Sequence, residues 1–381
     1  MGLARRRNRR LNRGLFSELR NLSSESSRNV TETQRILLIR PSALGDVFRS
    51  IPVLNSLSRA FPEALIDWVV QEGFEDAIRA HPAVNRIIGF PRHRIQHWWR
   101  SPSESRRAIG FFRGLRGRYD LVVDAQGLAR SGLMARVSGG RRRIGFADAA
   151  EGGWLGYTER ISVPDGLPAV DRMLALLEGA GIEPVTESSL FVPDDVEAHW
   201  SSWKSASIGD ESYIALAPTS RWVSKEWPAD RWSELAARLL DDGHAKRVVL
   251  LGGPGEVERL AGIARGRAEI KVLAGQGSLA FSMAAVRDSS LVVANDSAML
   301  HAAAGLSVPL VGLFGPTSAF ISGPFGRTSD CISAPDGGPS VHYRDKRIGD
   351  RVMRGISLES VLDACVMRLS PPADSVVEED A

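Results

Sequence analysis

The sequence contains little cysteine and no long apolar run. Its 381 residues include only two cysteines, Cys331 and Cys365, and neither belongs to a CxxC pair. A disulfide framework is therefore excluded, and isolated thiols of this kind predict a reducing, cytoplasmic compartment. No uninterrupted apolar stretch reaches the roughly 18 residues that span a bilayer, and the N-terminal segment lacks the apolar core of a signal peptide. We therefore expect a protein that neither crosses a membrane nor is secreted.

Several catalytic motifs are also missing. The chain has no GxxxxGK[ST] phosphate loop, no GxSxG nucleophile motif and no Asp-any-Asp pair that would hold a divalent cation on a sugar diphosphate. His93 and His97 stand four residues apart, but no third ligand accompanies them, so they are poor metal candidates. These absences exclude Walker-type nucleotidases and hydrolases of the GxSxG type, and they predict a reaction that uses no metal.

Lysine is absent from residues 35–190, although arginine is abundant there. That segment carries 21 Arg and 17 acidic residues, whereas residues 1–34 carry eight Arg and three acidic residues, and residues 191–381 carry 19 basic and 25 acidic residues. The formal net charge of +3 therefore arises in the N-terminal segment. Three interpretations of this segment stay open: a disordered arm, adhesion of its Arg5 to Arg13 cluster to an anionic membrane leaflet, or an organellar transit peptide.

Short apolar runs alternate with helical periodicity from residue 35 to residue 370. Five runs in the first half lack strict alternation, which predicts parallel strands covered on both faces: RILLIR, ALIDWVV, NRIIGF, DLVVDAQG and RRRIGF. After a join around Pro193 to Gly209 the pattern restarts with five more predicted strands: YIALAPTS (213–220), RVVLLGGPGE, IKVLAG, LVVAND and PLVGLFG. We predict an α/β protein of two doubly wound, Rossmann-like domains that face each other across a cleft, 35–198 and 199–370, with disordered tails at 1–34 and 371–381.

Polar side chains follow several of these strands, at the edge where doubly wound domains bind ligands. Asp46 follows the first strand and is a candidate site carboxylate, or else a cap of the next helix. Thr219, Ser220 and Lys225 suit phosphate oxygens, with a solvated loop as the alternative. Glu256 follows a glycine-rich turn and suits ribose hydroxyls, or else caps a helix.

A further candidate site follows the strand at 291–296. Asp296, Ser297 and the helix that begins there, together with the turn Gly315 to Thr317, predict an anion site, because unpaired N–H groups and the helix dipole favour phosphate. His301, one turn into that helix, is by default a packed histidine. The segment Gly275 to Ala280 fits the dinucleotide pattern GxGxxA only weakly.

A basic and aromatic segment lies in the first half, and includes Arg92, Arg94, Trp98, Trp99 and Arg100. Aromatic residues interleaved with arginine can bind single-stranded nucleic acid, but no recognised nucleic-acid module accompanies them. We favour a solvated face or recognition of an anionic small molecule by guanidinium groups. The sequence therefore predicts no nucleic-acid partner.

Five ordered blocks carry a family resemblance. RILLIRPSALGDVFRSIPVLNSLSRAFPEALIDWVVQEGF, DAQGL, TSRWVSKEWPADRW, NDSAMLHAAAG and FGPT together resemble the bacterial lipopolysaccharide heptosyltransferases, glycosyltransferase family 9. The earliest blocks are most similar to the heptosyltransferase I group. The resemblance runs from about Arg35 to Leu369.

The resemblance implies a GT-B fold and an inverting, metal-independent transfer of heptose from ADP-heptose to a Kdo-lipid A-like inner-core acceptor, with no cofactor besides the nucleotide sugar. Asp46 then matches the general base, Lys225 with Thr219 and Ser220 matches the diphosphate contacts, and Glu256 matches the ribose acid. The remaining implied donor contacts are Asp296, Ser297, Ala298, Met299, His301, Gly315, Pro316 and Thr317. The implied acceptor contacts are Arg92, Arg94, Gln126, Arg141, Arg142 and Arg143.

The chain departs from the family pattern at three places. One additional residue separates Arg221 from Lys225, Gly277 stands where a methionine packs on adenine, and Ala298 replaces a glycine. Other interpretations stay open: a nucleotide-sugar epimerase on the same fold, a non-catalytic glycolipid-binding relative, and a dinucleotide oxidoreductase. We expect a cytoplasmic enzyme, with peripheral association with the inner-membrane leaflet as one interpretation of the arginine-rich tail.

Overall fold

The structure is a computed structural model that describes residues 33–95, 101–117, 119–338 and 345–370. Its described part contains two parallel six-stranded sheets. Nearly all of the two predicted tails lies outside the described residues, as do His97, Trp98, Trp99 and Arg100 of the basic and aromatic segment.

The first sheet lies in the N-terminal half, in the strand order β3-β2-β1-β4-β5-β6. Its strands are β1 (Arg35–Ile39), β2 (Leu65–Gln71), β3 (Arg86–Phe90), β4 (Leu121–Asp124), β5 (Arg142–Phe146) and β6 (Glu159–Ile161). The helices of this half are α1 (Leu44–Arg49), α2 (Ile51–Ala60), α3 (Arg92–Ile95), α4 (Pro102–Gly114), α5 (Ala129–Ser138) and α6 (Ala169–Gly179).

The second sheet repeats this order as β9-β8-β7-β10-β11-β12. Its strands are β7 (Tyr213–Ala217), β8 (Arg247–Leu250), β9 (Ile270–Val272), β10 (Leu291–Asn295), β11 (Leu310–Phe314) and β12 (Cys331–Ser333). Its helices are α7 (Glu197–Ser207), α8 (Ala229–Asp241), α9 (Val257–Ala264), α10 (Leu279–Arg287), α11 (Ala298–Gly305), α12 (Ala319–Ser322), α13 (Lys346–Arg354) and α14 (Leu358–Leu369).

The two doubly wound sheets confirm the predicted fold class. All ten predicted strands are present, whereas the edge strands β6 and β12 were not predicted, because three residues are too few to show a pattern. Helices α1 and α2 follow each other directly and meet at Ser50. The join around Pro193 to Gly209 contains α7, whose Trp200 packs on Tyr213 and Phe281 in the second half.

Each half has an aliphatic core around its central strands. The central strands β1, β7 and β10 are buried along nearly their whole length, as expected for parallel strands with both faces covered. In the first half α5 approaches the 3₁₀ segment Ala150–Gly156 so closely that a Cβ at Gly132 would lie 2.1 Å from the carbonyl oxygen of Gly153. Only glycine allows that approach.

The two halves contact each other through helices at the carboxyl edges of their sheets. Helix α1 packs against α11, and the backbone N–H of Ala280, at the start of α10, donates to Asp76 at 3.1 Å. Arg79 pairs with Asp76 and with Asp195, which lies in the join between the halves, each at 2.7 Å. The N-terminal turn of the weak GxGxxA helix is thus occupied by a carboxylate of the protein itself.

Within the described residues, no helix combines the length and the apolar character needed to cross a bilayer.

Candidate active site

Asp46 lies in α1, directly after the loop that follows β1 at the carboxyl edge of the first sheet. The backbone N–H of Ala43 donates to Oδ2 of Asp46 at 3.1 Å. Arg40 contacts the same oxygen at 3.2 Å, and Arg49 contacts Oδ1. Asp46 therefore has the predicted capping role, and it also contacts two guanidinium groups. The Asp46 side chain keeps 23% of its surface exposed, so a ligand in the cleft can reach it.

The two arginines determine the charge state of Asp46. Burial raises the pKa of this carboxyl, but the charges of Arg40 and Arg49 and the N–H of Ala43 outweigh it, so that the pKa lies well below its usual range. Asp46 is therefore ionised throughout the physiological pH range and can accept a proton.

The turn after β4 supports the same loop. Oε1 of Gln126 accepts the backbone N–H of Ser42 at 3.3 Å. The Gln126 backbone N–H in turn donates to Asp124 at 2.8 Å, and the Tyr157 hydroxyl donates to the other oxygen of Asp124 at 2.6 Å. Burial raises the pKa of Asp124, and these hydrogen bonds offset part of that rise. Gln126, a predicted acceptor contact, thus lies beside the Asp46 loop.

Asp296 is the centre of a polar cluster in the second half. Its Oδ2 accepts Lys225 Nζ at 2.6 Å and Thr317 Oγ1 at 2.7 Å, and Ser322 Oγ lies at 3.5 Å. The Asp296 side chain is only 8% exposed. Burial raises the pKa of Asp296, but the charge and the hydrogen bond of Lys225 lower it by more. The pKa therefore lies below its usual value, and Asp296 and Lys225 form an ion pair. We call these four residues the Asp296 cluster.

Thr219 and Glu256 form a hydrogen bond at the carboxyl edge of the second sheet. The Thr219 hydroxyl donates to Oε2 of Glu256 at 2.9 Å, and the backbone N–H of Gly253 donates to that oxygen at 2.6 Å. The Ser220 hydroxyl donates to the backbone carbonyl of Asp296 at 3.1 Å. The loops after β7, β8 and β10 therefore bring the predicted donor residues together.

Helix α11 begins beside the Asp296 cluster. Ser297 flanks its first turn without a side-chain capping bond, and its buried Oγ has no hydrogen-bond partner among the described residues. Unpaired donors of this kind at a helix N-terminus suit an anion. The side chains of Ala298 and Met299 pack against the core of the first half.

Gly315 and Pro316 form the buried start of the turn after β11. A Cβ at Gly315 would lie 2.3 Å from Sδ of Met353 in α13. The absence of a side chain at Gly315 therefore lets α13 approach the turn. The same turn places Thr317 beside Asp296.

His301 lies between the two halves. It is 6% exposed, and a Cβ at Gly45 would lie 2.8 Å from its Cδ2. Burial and the charge of Arg49 lower the pKa of His301, and Asp296 and Asp46 offset only part of this, so that the pKa falls to about 3. The His301 imidazole is therefore neutral and packed, and the charges of both Asp46 and Asp296 act on it. Its Nδ1 has no partner among the described residues.

Arg92 and Arg94 follow β3 at the edge that carries Asp46. Arg92 donates to Oε1 of Gln71 at 3.4 Å. Arg94 is exposed and lies 3.8 Å from a carboxylate oxygen of Glu72. Both side chains are thus placed at the border of the cleft.

The structure does not bring Arg141, Arg142 and Arg143 to this site. They lie before and at the start of β5, and so at the amino edge of the sheet. At that edge Arg141 pairs with Asp120 at 2.6 Å, and Arg142 pairs with Glu159 at 2.7 Å. Arg143 donates a hydrogen bond to the carbonyl oxygen of Gly156 at 2.8 Å. We therefore remove these three residues from the predicted acceptor site.

The arginines that contact Asp46 were not predicted. Arg49 stands three residues after Asp46, and this spacing on a helix favours an ion pair, so the sequence contained that signal. Arg40 lies before the loop, directly after β1, and only the conformation of the loop brings its guanidinium group to Asp46.

No group of three or more His, Cys, Asp or Glu side chains that could hold a metal ion occurs among the described residues. In the candidate site Asp46 is paired with arginine, His301 is buried, and Asp296 is paired with lysine.

Comparisons with known proteins agree with this geometry. Residues 108–348 match glycosyltransferase family 9 (heptosyltransferase). The lipopolysaccharide heptosyltransferase 1 of Pseudomonas aeruginosa is 34% identical over 297 residues, which cover 76% of this chain and 81% of that protein. The lipopolysaccharide heptosyltransferase 2 of Escherichia coli is 28% identical over 299 residues, covering 74% and 83% of the two chains.

Solved structures give the same result. The E. coli heptosyltransferase WaaC with ADP superposes with a TM-score of 0.72 at 26% identity, covering 88% of this chain and all of that one. WaaC with ADP-2-deoxy-2-fluoro heptose gives a TM-score of 0.68 at 26% identity, covering 87% and 98%. The predicted GT-B fold and the resemblance drawn from the five sequence blocks are confirmed, and the chain belongs to the heptosyltransferases, glycosyltransferase family 9.

Proposed function

We propose that this protein transfers a heptose from ADP-heptose to a lipid-linked, anionic inner-core saccharide of lipopolysaccharide, with inversion and without a metal ion. One observation carries the proposal: helix α11, which begins beside the Asp296 cluster, packs against α1, which carries Asp46, so closely that a Cβ at Gly45 would lie 2.8 Å from Cδ2 of His301. A base thus faces a set of phosphate-binding groups across the cleft. Relatives named as heptosyltransferases, solved with ADP and with an ADP-heptose analogue, support this choice of donor.

The reaction is a single displacement. The acceptor hydroxyl oxygen forms a bond to the anomeric carbon while the bond from that carbon to the diphosphate oxygen breaks, and ADP leaves with the electron pair. The hydroxyl proton passes to Asp46. A base with a low pKa suffices, because the attacking oxygen becomes strongly acidic once its bond to carbon has formed. Attack from the side opposite to ADP inverts the anomeric centre.

The pKa values of the site predict a flat pH dependence. Asp46 stays ionised and His301 stays neutral between about pH 5 and 8, since the pKa of each lies well below that range. We therefore expect kcat/KM to show no inflection from either group in that interval, with a loss of activity only as falling pH protonates Asp46. Initial rates at constant ionic strength measure this. An acidic limb near pH 6.5 that disappears in His301→Gln would contradict it.

The second half supplies the donor contacts in this proposal. Lys225, with Thr219 and Ser220, holds the diphosphate and stabilises the charge that develops on leaving ADP. The unpaired hydroxyl of Ser297 and the first turn of α11 add neutral donors. Glu256 binds the ribose hydroxyls. Residues 199–370 are accordingly the donor-binding domain.

The first half supplies the acceptor contacts. Residues 35–198 hold Gln126 beside the Asp46 loop and present Arg92 and Arg94 at the border of the cleft, where guanidinium groups suit carboxylate or phosphate. We place the reaction at the cytoplasmic face of the inner membrane, where the arginine-rich segment 1–34 adheres to anionic lipid.

A nucleotide panel tests the proposal. Thermal unfolding is measured with ADP, UDP, GDP and CMP, each with Mg²⁺ and with EDTA, and transfer is followed with ADP-heptose and an inner-core acceptor. We expect stabilisation by ADP alone, transfer in EDTA, and a product of inverted configuration by NMR. Preference for UDP or GDP, or a requirement for Mg²⁺, would overturn the donor or the metal-independent mechanism. Conversion of the sugar without acceptor would instead indicate an epimerase.

A further inference from the structure

A chain of hydrogen bonds links Asp46 to two buried side chains, Asp124 and Tyr157. Arg40, the residue after β1, donates through Nη1 to the backbone carbonyl of Ala125 and contacts Oδ2 of Asp46 through Nη2 at 3.2 Å. The Arg40 side chain is only 12% exposed. One guanidinium group therefore bridges the turn after β4 and the carboxylate of the proposed base.

Asp124 in turn fixes the turn after β4. Its Oδ1 accepts the backbone N–H groups of Gln126 and Gly127 at 2.8 and 3.2 Å, and its Oδ2 accepts the Tyr157 hydroxyl at 2.6 Å. Because Asp124 is completely buried, these donors replace the water that a carboxylate would otherwise bind. The orientation of the turn, and with it that of the Ala125 carbonyl, therefore depends on Asp124 and its partners.

Gly145 of β5 makes room for the Tyr157 ring. Gly145 is the register partner of Asp124 on the neighbouring strand β4, and a Cβ on it would lie 2.3 Å from Cζ of Tyr157. The absence of a side chain at this position lets the ring lie across β5. A hydroxyl from the segment before β6 thereby reaches a carboxylate two strands away.

We infer that Tyr157, Asp124 and Arg40 are positioning residues, which hold the Asp46 carboxylate in the direction that the acceptor hydroxyl requires. This inference rests on the proposed function and adds residues that act on the base rather than on either substrate. Helix α1, which carries Asp46, packs against α11 of the donor-binding half, whereas the proposed acceptor contacts belong to the first half. The bonds to the β4 turn therefore keep the base fixed relative to the acceptor.

The charge of Arg40 does not account for its place beside a base. A guanidinium group favours the ionised form of a carboxylate, so it makes Asp46 a weaker proton acceptor. A fixed direction of the carboxylate compensates for this, since a misplacement of about 1 Å between reacting groups can lower a rate about 10²-fold. Loss of the chain should therefore lower kcat and leave donor KM nearly unchanged.

The first kinetic test is the variant Tyr157→Phe, which deletes the hydroxyl and keeps the ring. Tyr119→Phe is its matched control, because Tyr119 is also buried and its hydroxyl donates at 2.8 Å to a buried carboxylate, Asp67, at the amino edge of the same sheet. We expect kcat for heptose transfer to fall about tenfold in Tyr157→Phe, the usual effect of losing a hydrogen bond to a charged group. In Tyr119→Phe kcat should stay unchanged, although the unfolding temperature falls in both variants.

The second kinetic test removes the other end of the chain. Arg40→Gln should lower kcat about tenfold or more, even though Asp46 becomes a stronger base. Arg35→Gln is its matched control, because Arg35 begins the same strand at the opposite edge and pairs with Asp67 at 3.4 Å. The double variant Arg40→Gln, Tyr157→Phe should lose less than the product of the two single losses, since both act through the β4 turn. Losses that multiply would mean independent effects and would overturn the chain.

A measurement without turnover separates this inference from the proposed function. Hydrogen exchange of the backbone amides of residues 41–47 is followed by mass spectrometry in the full-length proteins. We expect faster exchange in Tyr157→Phe and Arg40→Gln than in the wild type, Tyr119→Phe and Arg35→Gln. Unchanged exchange or unchanged kcat in the two test variants, or equal kcat losses in their controls, would overturn the positioning role. A wild type that transfers no heptose, with the exchange pattern intact, would contradict only the proposed function.

Discussion

Replacement of Asp46 with asparagine is expected to lower kcat for heptose transfer by on the order of 10²- to 10⁴-fold, the usual contribution of a positioned general base. The amide keeps an oxygen that can accept the Ala43 N–H, but it takes no proton from the acceptor hydroxyl. ADP affinity should remain within a few fold, because the donor contacts lie in the other half. Transfer kinetics and calorimetric titration with ADP measure the two effects.

Asp120→Asn is the matched control for this variant. Asp120 resembles Asp46 in its surroundings: its side chain is 22% exposed, it pairs with an arginine, Arg141, and it accepts backbone N–H groups. It lies at the opposite edge of the sheet, so its replacement should leave kcat unchanged. Near-normal turnover in Asp46→Asn would refute the base assignment. Equal losses in both variants would show that the effect is structural.

Lys225→Met is expected to have the second large effect. It removes the lysine that is bonded to Asp296, and with it the positive charge that stabilises leaving ADP. Loss of one preorganised electrostatic contact of this kind lowers kcat by about 10²- to 10³-fold. ADP affinity should fall as well, in contrast to Asp46→Asn. Transfer rates and ADP titration distinguish the two variants.

Lys225→Met also has a stability cost that must be separated from its catalytic effect. Asp296 would remain as a buried carboxylate without a cation, and breaking a buried pair typically costs about 3 to 5 kcal/mol. The double variant Lys225→Met, Asp296→Asn removes that unpaired charge, so we expect its unfolding free energy to recover while transfer stays low. Recovery of transfer in the double variant would assign Lys225 a purely structural role.

The matched control for this pair is Lys204→Met. Lys204 bonds to Asp288 at 3.0 Å in the same half of the molecule, remote from the predicted donor residues. Its replacement should lower stability slightly, since that pair is more exposed than Lys225 and Asp296. It should not change kcat or ADP affinity.

The central strands and their polar loops could be predicted from the sequence alone. The strands β1 and β10 are buried, and their residues are aliphatic on both faces, so their composition revealed both their type and their parallel arrangement. Because parallel strands all end at one edge, Asp46 and Asp296 could be assigned to ligand-binding edges without coordinates.

Other features could not be predicted, because they depend on the conformation of loops. Arg40 meets Asp46 only because the intervening loop folds back on itself. Short edge strands such as β6 give too few residues for a periodic pattern.

Neighbouring residues encode the two doubly wound halves, the family and the residue types at each sheet edge, because strand burial and local motifs depend on residues that are close in the chain. The three-dimensional fold is needed to show which groups face each other. It packs His301 of α11 against Gly45 beside Asp46, and it brings Arg40 back to Asp46. The pKa values of Asp46 and His301 then arise from burial and from charges at short range, which no spacing along the chain encodes.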